Sequence, residues 1–208
     1  MNDIPTRERI VVAANRLFYR EGIRAVSVDA VADEAGITKK SLYYHFKSKD
    51  DLIAAYLSHR DQPNLAAYRK WFAQADGDLG DRIYAIFDHL AKAAARADWK
   101  GCGFLRTSAE LANLPGHPAL QVGRAHKKAF ESWLADVIAA DGLEQPVLLA
   151  RQIMLLLDGC FSVAMLHRDA SYMQSAGAAA RSLIAHASSR AGADLRREVL
   201  PDPAGERD

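Results

Sequence analysis

Residues 35–49 read Ala35-Gly36-Ile37-Thr38-Lys39-Lys40-Ser41-Leu42-Tyr43-Tyr44-His45-Phe46-Lys47-Ser48-Lys49. Gly36 follows an apolar helical pattern, Thr38 stands where a new helix would begin, and Leu42 and Phe46 recur four residues apart. A glycine past a helix end and a threonine N-cap each satisfy backbone groups that helix termini leave open. Two short helices joined in this way match the helix-turn-helix layout, in which the second helix enters the DNA major groove. Lys39, Lys40, Lys47 and Lys49 lie in the stretch with no acid among them, and Tyr43, Tyr44 and His45 are interleaved. Ammonium groups neutralise phosphates and release counterions, while phenol and imidazole groups donate hydrogen bonds to phosphate oxygens.

Helical pattern extends on both sides. Ile10, Ala14, Leu17 and Phe18 form an apolar stripe that Gly22 closes, and Ser27 caps a short helix carrying Val28, Val31, Ala32 and Ala35. Ser48 opens a further helix with Asp50 and Asp51 in its first turn, where negative charge suits the positive helix end. Leu52, Ile53, Tyr56 and Leu57 form its apolar face. Beyond Pro63 the pattern predicts longer helices over 64–75, 81–97, 104–112, 118–140, 146–167 and 172–189. No alternating strand pattern longer than a few residues appears, so the expected class is all-α.

The run from Arg9 through Leu52 resembles the DNA-binding domain of the TetR family of transcriptional regulators. The matching residues are Ala14, Leu17, Phe18 and Gly22; Val28, Val31, Ala32, Ala35, Gly36, Ile37 and Thr38; then Leu42, Tyr43, His45, Phe46, Ser48, Lys49 and Leu52. Leu42 through Lys49 nearly copies the family signature. Lys40 departs from it, since many members carry a small residue there, so no relative's operator is transferable. The resemblance implies a three-helix DNA-binding head over 1–52 and a helical effector-binding and dimerisation body over 53–189. Residues 190–208, with two glycines, two prolines and alternating charges, are expected to form a disordered tail.

By that resemblance Tyr43, His45 and Lys49 are phosphate contacts. Lys39, Lys40, Ser41 and Tyr44 are candidates for base readout or the groove edge, and Thr38 is either a plain helix cap or a cap that also points at DNA. The resemblance implies a homodimer on an inverted-repeat, double-stranded operator, most often a repressor released by a small effector. The nearly all-round apolar 146–167 segment and the small residues Ala176 to Ala180, Ala185 and Ala187 suit helix pairing between subunits. Candidate effector-lining residues are Tyr84, Phe87, Cys102, Phe104, His126, Trp133, Met154, Asp158 and Phe161. Aromatics at helical spacing are ordinarily core, and Asp158, inside an apolar helix, needs a partner that is structural or a ligand. Cys102, between two glycines ahead of a predicted helix, is either a tightly fitted structural residue or a thiol sensor of electrophiles or oxidants.

Composition narrows the alternatives. With 27 Lys and Arg against 26 Asp and Glu, the net charge is +1, which excludes a uniformly basic coat but not a local basic patch. The 2 cysteines cannot form a disulfide framework. The apolar run Ile10 to Ala14 is too short for a signal-peptide core, and Val147 to Leu166 is interrupted by Arg151, Gln152 and Asp158. A soluble, cytoplasmic protein without membrane attachment is expected. No cofactor or metal is expected either, because His45, His59, His89, His117, His126, His167 and His186 lack ligand spacing and neither HExxH nor CxxC occurs. A helical enzyme using Cys102 with a histidine is the reading from another class, and the absence of a phosphate loop or catalytic constellation disfavours it.

Overall fold

The computed structural model describes residues 4–199, and within them every regular element is an α-helix. Helices α1 (Thr6–Glu21), α2 (Val28–Glu34) and α3 (Lys39–His45) form the head. The body comprises α4 (Lys49–Gln74), α5 (Leu79–Ala94), α6 (Gly103–Glu110), α7 (Pro118–Ala140), α8 (Pro146–His167) and α9 (Ser171–Val199). The caps read from sequence are formed: Ser27, Thr38 and Ser48 each accept a backbone N–H three residues on, at 3.0, 3.1 and 3.0 Å. The expected spans 118–140 and 146–167 coincide with α7 and α8.

Two expectations differ. Pro63 does not end a helix, because α4 runs unbroken from Lys49 to Gln74. Proline removes one N–H donor, yet Leu65, Tyr68 and Phe72 beyond it are buried in the body, and that burial carries the helix through. The boundary expected after Leu52 lies inside this helix, as the apolar face Leu52 to Leu57 already implied. The last helix continues to Val199, past the point where glycine and charge suggested a tail; residues 200–208 of that expected tail lie outside the described residues.

Two hydrophobic clusters hold the chain together. The body cluster draws on α4, α5, α7, α8 and α9, with Ile83, Leu134, Ile138, Ala150 and Ile153 at its centre. The head cluster contains Ile10, Phe18, Val31, Leu42 and Leu52, and it also takes Phe104, Leu111 and Ala119 from the body. α4 supplies Leu52, Ile53, Tyr56 and Leu57 to one cluster and Leu65, Tyr68 and Phe72 to the other. α8 has the length and mean hydropathy of a membrane span, but its Ile153, Leu157 and Ala164 face is buried on neighbouring helices. Its opposite face exposes Leu148, Leu155 and Leu166.

Candidate nucleic-acid interface and its link to the body

α3 is positioned by its ends and by one buried edge. Gly36 turns the chain at φ 65°, in the left-handed region that favours glycine. Arg9 of α1 reaches the same turn, where Nη2 donates to the carbonyls of Ala35 at 2.6 Å and Gly36 at 3.3 Å. A guanidinium there meets the negative end of α2. Leu42 and Phe46 are buried beneath α3, which leaves Lys39, Lys40, Tyr43 and Tyr44 on its solvent side. Tyr44 is 87% exposed, more than any other large apolar or aromatic side chain among the described residues. Its ring meets that of His45 edge-on at 5.2 Å.

The eight residues singled out for DNA lie together: Thr38 is the N-cap, Lys39, Lys40, Ser41, Tyr43, Tyr44 and His45 are on α3, and Lys49 begins α4. The lysines are not equivalent. Lys39 Nζ lies 2.9 Å from Asp29 Oδ2 on α2, and that carboxylate, by hydrogen bond and by charge, raises the ammonium's pKa above its usual value. Lys40 has no carboxylate within salt-bridge distance among the described residues. Lys49 is half-buried, and desolvation lowers its pKa while Glu110 and Asp50 offset part of that effect. Sequence reasoning missed Arg9 and Asp29, whose partners are 26 and 10 residues away.

The head is fastened to the body mainly through α6 and α7. Glu110, at the end of α6, accepts the backbone N–H groups of Ile23 at 3.2 Å and Arg24 at 2.9 Å. Arg24 returns a bond from Nη2 to the Glu110 carbonyl at 2.5 Å. Gly22 leaves room for this carboxylate: its φ is 93°, and a Cβ there would sit 3.1 Å from Oε1. Arg106 donates to the Tyr19 carbonyl at 2.6 Å, and Tyr19 Oη donates to Gly101 O and accepts from Lys100 N. His117 caps α7 by accepting the Ala119 N–H on Nδ1, which puts the proton of its neutral ring on Nε2. That Nε2 is buried 3.2 Å from Asp50 Oδ1, at an angle short of a hydrogen bond.

Among the described residues, the nine expected to line an effector pocket sit in several separate packings. Phe87 packs against Gly177 of α9, and Arg181 lies over the Tyr84 ring at 5.0 Å. Phe104 stacks on His126 at 3.8 Å with ring planes 3° apart, and Nδ1 of that histidine lies 2.7 Å from Asp61 Oδ1. Burial lowers the His126 pKa, and the Asp61 hydrogen bond opposes the shift. Trp133 sits between Phe72 and Phe130, while Met154 is buried in the body cluster. Asp158 is bonded to Lys127 at 2.5 Å, which gives the carboxylate its structural partner. Cys102 and Phe161 do share an opening, a groove of about 260 Å³ between α6 and α8. Burial pushes the other thiol, Cys160, up to about 12.

Comparison with known proteins agrees with this architecture. Residues 10–56 match the family described as bacterial regulatory proteins, tetR family. The chain is 21% identical over 189 residues to the HTH-type transcriptional regulator YjdC of Escherichia coli, covering 91% of this chain and 98% of that one. Among solved structures it resembles the TetR-family regulator SCO4454 of Streptomyces coelicolor, with 27% identity, 88% and 96% coverage and a TM-score of 0.77. It also resembles the TetR-type regulator sav143 of Streptomyces avermitilis, with 30% identity, 85% and 98% coverage and a TM-score of 0.70. An all-helical chain with a capped basic helix on a small head, matched along nearly its full length, belongs to the TetR family of DNA-binding transcriptional regulators.

Proposed function

We propose that the protein acts as a homodimeric, cytoplasmic repressor that reads an inverted-repeat operator with α3 and is released by a small effector. The observation that carries the reading is the solvent face of α3, where Lys40, Tyr43 and Tyr44 stand exposed over a buried Leu42 and Phe46. Lys40, Ser41 and Tyr44 are placed to read the groove, with Lys39 available once it leaves Asp29. Tyr43, His45 and Lys49 hold the backbone, and Thr38 sets the start of the helix. Two heads related by a twofold axis read two half-sites, which makes the operator palindromic.

Effector release is a difference in affinity: the effector must favour a head spacing that no longer fits successive grooves. The Glu110, Arg106 and His117 contacts connect α6 and α7 to the head, so a shift of either helix moves α1 or the start of α4. Operator selection from random duplexes with purified protein tests the reading. Enrichment of inverted repeats supports it, and recovery of single asymmetric half-sites alone refutes the dimeric model. Screening apolar compounds for release of the selected duplex then identifies the effector.

A second reading, sensing of electrophiles or oxidants, is favoured by the half-buried Cys102 at the N-cap of α6 on an open groove. Under it, mild peroxide releases the operator from wild type but not from Cys102→Ser. Equal behaviour of the two proteins makes the thiol structural.

A further inference from the structure

Two adjoining cavities open on the seam between head and body and share Tyr19 and Asp98 in their walls. The larger, about 550 Å³, lies along α1 beside Val12 and reaches Lys100; the smaller, about 220 Å³, is walled by Arg60 and Trp99. Together they are large enough for a small organic ligand. The lining combines apolar Val12 and the Tyr19 and Trp99 rings with a cationic rim of arginines and Lys100.

Most of that rim charge is already matched. Arg16 and Arg20 pair with Glu34 and Glu21 at 2.6 and 2.5 Å, and Arg96 holds Asp98 by two bonds of 3.0 Å. The Arg96 hydrogen bond keeps the Asp98 carboxyl below its ordinary pKa. Asp98 is therefore an occupied anion that leaves the rest of the rim positive. Arg60 and Lys100 have no carboxylate within salt-bridge distance among the described residues. The Arg60 guanidinium lies 4.4 Å from the Tyr19 ring centroid and Nη1 donates to Asn15 Oδ1 at 3.0 Å, while its Nε is buried beside Gly103, away from the cavities. A guanidinium held by a ring and an amide, with its charge unmatched, is preorganised for a carboxylate.

We propose that this seam binds a small aromatic carboxylate, with the charge on Arg60 and Lys100 and the ring against Tyr19 and Val12. The site is separate from α3 and from the Cys102 groove, and it does not depend on the effector reading. Its walls come from α1 on one side and from α4 and the α5–α6 connection on the other, so occupancy bridges head and body.

The experiment is calorimetric titration of the full-length protein, without DNA, using benzoate as probe. Benzamide supplies the ring without the charge, acetate the charge without the ring, and benzylammonium the opposite charge. Benzoate should bind saturably, and each of the other three should bind at least about tenfold more weakly. Lys100→Met should weaken benzoate about tenfold or more with an unchanged melting temperature, and Arg60→Met should abolish binding. Arg60 also packs on Tyr19, so Lys100→Met decides the matter should the arginine variant unfold. Absence of saturable benzoate binding, equal binding of benzamide, or wild-type affinity in Lys100→Met overturns the proposal.

Discussion

Glu110 is the residue on which the α1–α2 connection hangs, because one carboxylate accepts two consecutive backbone N–H groups. Glu110→Ala removes both bonds, one part-buried and one exposed, and each should cost about 0.5–1.5 kcal/mol, to be read by urea denaturation. Gly22→Ala should destabilise comparably, since it forces a side chain into the left-handed region against that same carboxylate. On α3 the lysines should separate by kind. If each subunit neutralises about three or four phosphates, log K falls with log salt at a slope near −6. Lys49→Ala should flatten that slope and weaken all sequences alike, whereas Lys40→Ala should change preference at particular base pairs. Filter or anisotropy titrations across salt and across operator variants distinguish the two. The caps at Ser27, Thr38 and Ser48 were legible in the sequence because a cap acts within three residues. Glu110, Arg9 and Asp29 were not, since their partners are brought near only by the fold.

At the level of elements, α4 shows where periodicity misleads. Pro63 has the local signature of a helix end, but the burial of Tyr68 and Phe72 outweighs one missing hydrogen bond. Pro63→Ala restores the donor at an exposed position and should stabilise the protein by about 1–3 kcal/mol in urea. Phe87, Phe104 and Met154 show a related limit: all three are buried, and helical spacing alone does not distinguish a core side chain from a pocket wall. The contact between α4 and α7 carries a pH dependence. His126 is buried with its pKa below the ordinary 6.5, so the unfolded chain binds the proton more readily than the folded one. Its contribution is complete above about pH 6.5 and is lost as the pH falls through the lower folded value. His126→Asn should be less stable at pH 8 but should fall less steeply between pH 6.5 and 5. Parallel stability curves for the two proteins would exclude His126 as the source.

For the molecule as a whole, the all-helical class was readable from periodicity along the chain and the DNA-binding head from one capped basic segment, whereas the way head and body interlock was not. α8 exposes Leu148, Leu155 and Leu166, and α9, which packs on it, exposes the small residues Ala178, Ala179 and Ser182. Under the dimer proposal, Leu155→Glu should yield a folded monomer by sedimentation and circular dichroism, with operator binding lost. A dimer that survives this change pairs through another surface. The head cluster, meanwhile, is closed by Phe104, Leu111 and Ala119 of the body. A fragment ending near Tyr56 would leave Phe18 and Tyr56 partly uncovered to water. The reading head is accordingly not a portable module: a chimaera that grafts residues 1–56 onto a foreign effector domain inherits an incomplete core. Its core is closed again where the recipient's own α6 equivalent carries an aromatic at 104, a carboxylate at 110 and an aliphatic at the helix end, 111.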